Sequence, residues 1–176
     1  MRTFILALAL MTSLSATAQE FDLKYNSETS QLEFQKILEV PNRSASDLFK
    51  QCKKWVASTY SRPASVPQSE IENEMLSGHG TGSGVVKLAA IAYADLGYSF
   101  KIDFKDGRIR YSIYNMEVYT STLGSVGLEY YVMKKTGDFR KSNQSSNVQE
   151  SVSSHCNSLF LSLKDFLTNT GKNDDW

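Results

Sequence analysis

Side chains able to act as nucleophile, base or metal ligand are few in this chain. His79 and His155 are the only histidines, and Cys52 and Cys156 the only cysteines. A catalytic triad needs a histidine beside an activated Ser or Cys and a carboxylate. His155 precedes Cys156 directly, but neighbouring residues on a helix point about 100° apart and do not face each other. A zinc site drawn from Cys52, His79, His155 and Cys156 would match no recognised ligand spacing. His79 stands in the run Gly78-His79-Gly80-Thr81-Gly82-Ser83-Gly84. No Gly-Lys-Ser/Thr closes that run, so it is not a phosphate loop. Its glycines are wrongly spaced for a dinucleotide fingerprint, and Ser83 does not sit in a Gly-x-Ser-x-Gly elbow. The run reads instead as a turn joining two strands, with His79 at the surface. A small hydrolase using His79 is the alternative. Glu70, Glu72 and Glu74 alternate with Ile71, Asn73 and Met75, which reads as the solvated face of a strand. They lack the glycine turn and terminal glutamate of a calcium loop.

The elements that must hold these residues begin after an export signal. Arg2, the apolar run Phe4–Met11 and Ala16-Thr17-Ala18 follow the order of a secretory signal peptide. Cleavage after Ala18 leaves Gln19 at the new N-terminus. No cysteine stands there for lipid attachment, and no later stretch is long and apolar enough to span a bilayer. The expected location is therefore periplasmic or secreted. The 176 residues carry 19 basic and 19 acidic side chains. This neutral balance gives no electrostatic footprint for nucleic acid. In an oxidising compartment Cys52 and Cys156 are candidates for one disulfide, closing a loop of roughly 100 residues. The other reading is two separate buried thiols.

Period and punctuation give the rest. Residues 19–30 form a polar leader. Leu32, Phe34, Leu38 and Val40 recur at even spacing, a strand that Pro41 ends. Ser44 or Ser46 caps a helix whose stripe is Leu48, Phe49, Cys52, Trp55 and Val56. Arg62-Pro63 stops it near Tyr60, and Ser61 to Gln68 is a loop. Val85 to Tyr93 reads as a strand. Tyr98, Phe100, Ile102 and Phe104, then Ile109, Tyr111 and Ile113, flank Asp106-Gly107 and predict a β-hairpin. The phase slips near Tyr114, as a bulge would cause. Residues 120–150 read as a polar loop, with a short element at Tyr130–Val132 and a mobile Ser142–Asn147. A last helix starts near Ser153 or Ser154, carries Cys156, Leu159, Phe160, Leu163, Phe166 and Leu167, and stops at Gly171.

Asp47-Leu48-Phe49, Trp55, Tyr60-Ser61, Gly78-His79-Gly80 and the hairpin with Lys105-Asp106-Gly107-Arg108 and Tyr111 resemble an exported bacterial family of unknown function. That family's domain looks like half of the TATA-box-binding-protein (TBP) fold. The resemblance spans roughly residues 31–119. It implies a TBP-like α+β domain, and no functional residues come with it.

The expected fold is α+β: an antiparallel sheet of about five strands with two helices on one face, in the order β-α-β-β-β-β-α. The domain runs over residues 31–170, with a tail at 171–176. Helices on one face leave the other open. By alternation that open face carries Glu33, Glu39, Glu70, Glu72, Glu74, Lys101, Asp103, Lys105, Arg108 and Arg110, with Tyr114 joining if the bulge is real. Lys101, Asp103, Arg108, Arg110 and Tyr114 are the candidate binding residues, since Arg and Tyr are enriched at interface hot spots. The sequence thus points to a non-catalytic binding module for a protein or small polar ligand. It predicts no cofactor or metal, and a monomer over a subunit of an envelope assembly.

Overall fold

The computed structural model describes residues 22–60 and 69–169. The expected signal peptide, Ser61–Gln68 loop and Gly171 stop lie outside them. Among the described residues seven strands form one antiparallel sheet: β1 (Leu23–Asn26), β2 (Gln31–Glu39), β3 (Ser69–Ile71), β4 (Met75–Lys87), β5 (Tyr93–Lys105), β6 (Arg108–Thr120) and β7 (Gly124–Gly127). Their spatial order is β1-β2-β6-β5-β4-β3, and β7 also pairs with β6. Helix α1 (Ala45–Thr59) follows β2, and α2 (Glu129–Val132) and α3 (Asn143–Asn169) follow β7. The α+β class stands, with more strands than the five expected.

The β5–β6 hairpin is the centre of the sheet. Phe100, Ile102, Ile109, Tyr111 and Ile113 are fully buried on one face, under α1 and α3. The tight turn does more than reverse the chain. Asp106 accepts a hydrogen bond from the Ala45 N–H at 2.8 Å, and Gly107 N–H donates to Arg43 O. Ser44 Oγ accepts from Asp47 N–H. The hairpin and Ser44 together satisfy N–H groups that the first turn of α1 leaves without helical partners. Leu48, Phe49, Cys52, Trp55 and Val56 then face the sheet, all buried as their spacing predicts.

The aromatic residues behind the family resemblance meet in this core. The Trp55 ring lies edge-on to Tyr60 and Tyr111, and Tyr60 stacks on Phe100 with centroids 4.7 Å apart. The hydroxyls of Tyr60 and Tyr111 are 3.2 Å apart. Burial pushes both phenols well above their ordinary range. These residues hold the fold together and are closed to solvent.

Four local expectations are corrected. The polar leader contains β1, because Leu23 is buried and Asp22 ties Lys36 to Asn157 of α3. Glu70 to Met75 is not one strand. β3 ends at Ile71, and the chain reverses through Asn73, at φ 62°, into β4. The glycine run is not a turn. It lies within β4, and Gly78, Gly80 and Gly82 pair with Phe100, Tyr98 and Leu96. The turn comes later, at residues 88–92, where the segment from Val85 to Tyr93 was expected to be strand. A Cβ on Gly80 would lie 2.5 Å from the Tyr98 ring, and one on Gly82 would lie 2.9 Å from His155 Nε2. Side chains from β5 and α3 fill the space above these glycines, which is why the strand omits its own.

The expected loop at 120–150 is largely structured. Its short element at Tyr130–Val132 is α2, within Glu129–Val132. Ser142–Asn147 opens α3 ten residues before the expected start. Ser142 Oγ accepts from Ser145 N–H at 3.2 Å, and Ser142 O accepts from Ser146 N–H. Ser145 and Gln149 are buried and bonded to each other through Ser145 Oγ at 3.0 Å. Polar residues that look like a loop here satisfy one another inside the packing.

Candidate functional site

Both long helices pack on one face of the sheet, as expected. On the opposite face, alternation presents Glu33, Gln35, Ile37 and Glu39 from β2, Arg108, Arg110 and Ser112 from β6, and Ser99, Lys101, Asp103 and Lys105 from β5. β3 and β4 add Ile71, Ser77, His79 and Thr81. Glu70 is not on this face. It points to the helix side, where its carboxylate is 3.0 Å from Lys53 Nζ. Glu72 and Glu74 lie in the β3–β4 turn. Ile37 and Ile71 are 58% and 51% exposed, which gives the face apolar points as well as charges.

Its two ends differ. At the hairpin end, Asp103 and Arg110 stand directly opposite each other in register. Arg110 donates from Nε and Nη2 to Asp103 Oδ2 at 2.9 and 2.7 Å, and Lys101 Nζ lies 3.1 Å from Oδ1. One carboxylate thus holds two cations. The pairs are solvent-exposed, so they position side chains more than they stabilise the fold. Tyr114, Lys101, Asp103, Arg110, Glu33 and Gln35 line a groove of about 290 Å³ here. Arg108 lines a neighbouring groove, beside Ile37 and Lys105. The five residues singled out from sequence therefore gather on one face.

At the other end is a cleft of about 430 Å³. It is built by the β-bulge. Gly97 faces Glu117 and Ser99 faces Tyr114, so β6 carries one extra residue against β5, and Asn115 takes φ 50°. The slip expected near Tyr114 is present. From there Met116 and Val118 turn to the core while Glu117 and Tyr119 face outward. Ser99, only 4% exposed, lies 3.0 Å through Oγ from His79 Nδ1, and Asn115 Nδ2 donates to the same Oγ at 3.5 Å. Glu117 accepts from Tyr119 Oη at 2.9 Å and Ser125 Oγ at 2.6 Å. The Ser125 bond, followed by the Tyr119 bond, lowers the Glu117 pKa, and the carboxylate raises that of Tyr119. Glu129 closes the cleft, because β2 and β7 share the edge of β6 and leave a gap. Its Oε1 accepts the Leu32 N–H at 2.6 Å there.

Sequence reading placed His79 at the surface, and it is exposed. It missed the partnership with Ser99, and it missed Asn115, Glu117, Tyr119 and Glu129. The phase slip at Tyr114 was the available signal, since a bulge re-aims side chains. Glu129 left no signal, because its partner is 97 residues away. Among the described residues no group of three or more His, Cys, Asp or Glu is arranged to hold a metal. Cys52 and Cys156 are both buried and unbridged in this structure, which matches the second of the two readings. They pack as small apolar groups on α1 and α3, and burial pushes both thiols up to about 12.

An antiparallel sheet with both long helices on one face defines the class as a TBP-like α+β domain. Residues 34–119 match the family model of a domain of unknown function (DUF4468) with TBP-like fold. Two crystal structures share the architecture. A DUF4468 family protein from Bacteroides ovatus ATCC 8483 aligns with TM-score 0.63 at 12% identity, covering 78% of this chain and 86% of that one. A TBP-like protein from Parabacteroides distasonis ATCC 8503 aligns with TM-score 0.62 at 16% identity, covering 79% and 94%. At these identities the likeness is one of fold. No curated protein matches the chain. Among the described residues no helix is long and apolar enough to cross a membrane.

Proposed function

We propose that this is an exported, non-catalytic binding module of the cell envelope, with its site on the helix-free face of the sheet. The order of Arg2, the apolar run and Ala16-Thr17-Ala18 supports export. The observation that carries the binding reading is the 430 Å³ cleft beside the charged groove on that face. Concave sites with a few convergent polar groups are where ligands bind. Native mass spectrometry of the protein recovered from its host's envelope fraction tests this. A retained mass is expected, reduced by Arg108→Ala, Arg110→Ala, Tyr114→Ala or Tyr119→Ala while Tm holds. A bare chain under gentle ionisation, in every preparation, rejects it.

The 3.0 Å approach of Ser99 Oγ to His79 Nδ1 favours one second reading, an acyl-transfer hydrolase with Ser99 as nucleophile and His79 as base. A fluorophosphonate probe that labels Ser99, with labelling lost in His79→Gln, would establish it. An unlabelled native protein removes it.

A further inference from the structure

The inventory of hydrogen-bonding groups in the cleft selects a ligand chemistry. This inference rests on reading the open face as a binding surface. Among the described residues no lysine or arginine lines the cleft, and Glu117 and Glu129 both do. An anionic ligand would meet two carboxylates and no cation. Both carboxylates are partly engaged. Tyr119 and Ser125 bond Glu117 Oε2, and Leu32 N–H bonds Glu129 Oε1, so one acceptor oxygen remains on each. The cleft also offers donors. Asn115 donates to Ser99 Oγ, and that hydroxyl lies within hydrogen-bond distance of His79 Nδ1. Where Ser99 donates to Nδ1, the imidazole N–H is on Nε2. Gln31 and Thr81 line the same cleft and can also donate. An ammonium ligand carries only donors and would leave these donor groups facing donors. A hydroxyl both donates and accepts, so a ligand with several hydroxyls can satisfy both sets.

The apolar side of such a ligand has a counterpart too. A Cβ on Gly97 would lie 2.6 Å from Tyr119 Cε2, so this ring lies close over the glycine backbone. Its hydroxyl is tethered to Glu117, and the residue is 44% exposed. This presents an aromatic platform beside the free carboxylate oxygens. We infer that the cleft binds a neutral polyhydroxylated ligand, a saccharide, with the C–H face of one ring on Tyr119 and its hydroxyls shared between Glu117, Glu129, Asn115 and His79.

The test is nuclear magnetic resonance titration of the isotope-labelled chain. The probes are neutral sugars (glucose, galactose, mannose, N-acetylglucosamine, cellobiose, maltose), with putrescine and succinate as the cationic and anionic arms. Saturable shifts at the amides of Gly97, Ser99, Asn115 and Tyr119 with a sugar support the inference. Tyr119→Ala and Glu117→Gln should then each weaken binding about tenfold. Tyr119→Phe should retain most of it, and the exposed Lys164→Ala on α3 should leave it unchanged. Thermal melts of each variant separate lost binding from lost fold. Preferential binding of putrescine or succinate overturns the inference, and so does a cleft that no sugar perturbs. If the sugars fail and the mass retained in native spectrometry depends on Arg108 and Arg110, the binding-module reading survives without the saccharide. If no mass is retained either, both fall.

Discussion

Alanine at Gly80 should destabilise the protein, although alanine normally suits a strand better than glycine. The new Cβ would lie 2.5 Å from Cε2 and Cζ of Tyr98 and 2.6 Å from its hydroxyl. That ring cannot retreat easily. Tyr98 is 4% exposed and packs edge-on against His155 of α3, with centroids 5.7 Å apart. Overpacking of this kind costs about 1–3 kcal/mol. Restricting the unfolded chain returns about 0.4–1 kcal/mol. The net loss is about 1–2 kcal/mol, a fall in Tm of about 2–8 °C for a domain of this size. Thermal melts by circular dichroism measure it, with two controls. Combining Gly80→Ala with Tyr98→Leu should remove most of the added cost, because the clash partner is gone. Gly97→Ala also meets a tyrosine, but Tyr119 is exposed and can swing outward, so its stability should change by no more than about 0.5 kcal/mol. An unchanged Tm for Gly80→Ala, or equal losses at Gly80 and Gly97, would refute the account of why β4 is rich in glycine.

Other consequences can be measured directly. His155 is partly buried, and burial lowers its pKa from 6.5. The unfolded chain therefore takes up this proton at a higher pH than the folded one. The contribution is fully present above about pH 6.5 and falls as pH drops toward the folded value, so His155→Phe should flatten Tm against pH in that window. Ser142→Ala removes the side-chain acceptor at the start of α3 and should cost about 1 kcal/mol in a urea melt; no loss would mean that the first turn is held by packing alone. Cys52 and Cys156, buried with thiols pushed up to about 12, should resist iodoacetamide at pH 8 and add two alkyl groups once denatured. A denatured, unreduced chain that takes none would show a disulfide instead.

Where structure depended on near neighbours, the sequence was legible. The β5–β6 hairpin follows from seven alternating apolar positions around Asp106-Gly107, because strand period and turn chemistry act over a few residues. Helix α1 follows from its stripe and Ser44 cap for the same reason. Where a residue's role was set by a distant partner, local reading failed. Gly78–Gly84 has the composition of a turn, and only Tyr98 and His155, which occupy the missing side-chain space, make it strand. Ser142–Asn147 has the composition of a loop, and the burial of Ser145 and Gln149 against each other makes it helix.

The same division holds for the site. The sequence by itself determined which residues of β5 and β6 share the open face, because alternation is a property of the strand alone. It also indicated the bulge, through the change of phase at Tyr114. Only the tertiary structure decided that the bulge brings Ser99, His79, Asn115, Glu117 and Tyr119 around one cleft, and that Glu129 closes it from 97 residues beyond Leu32. Convergence of that kind is set by strand order and register across the sheet, which no window of sequence contains.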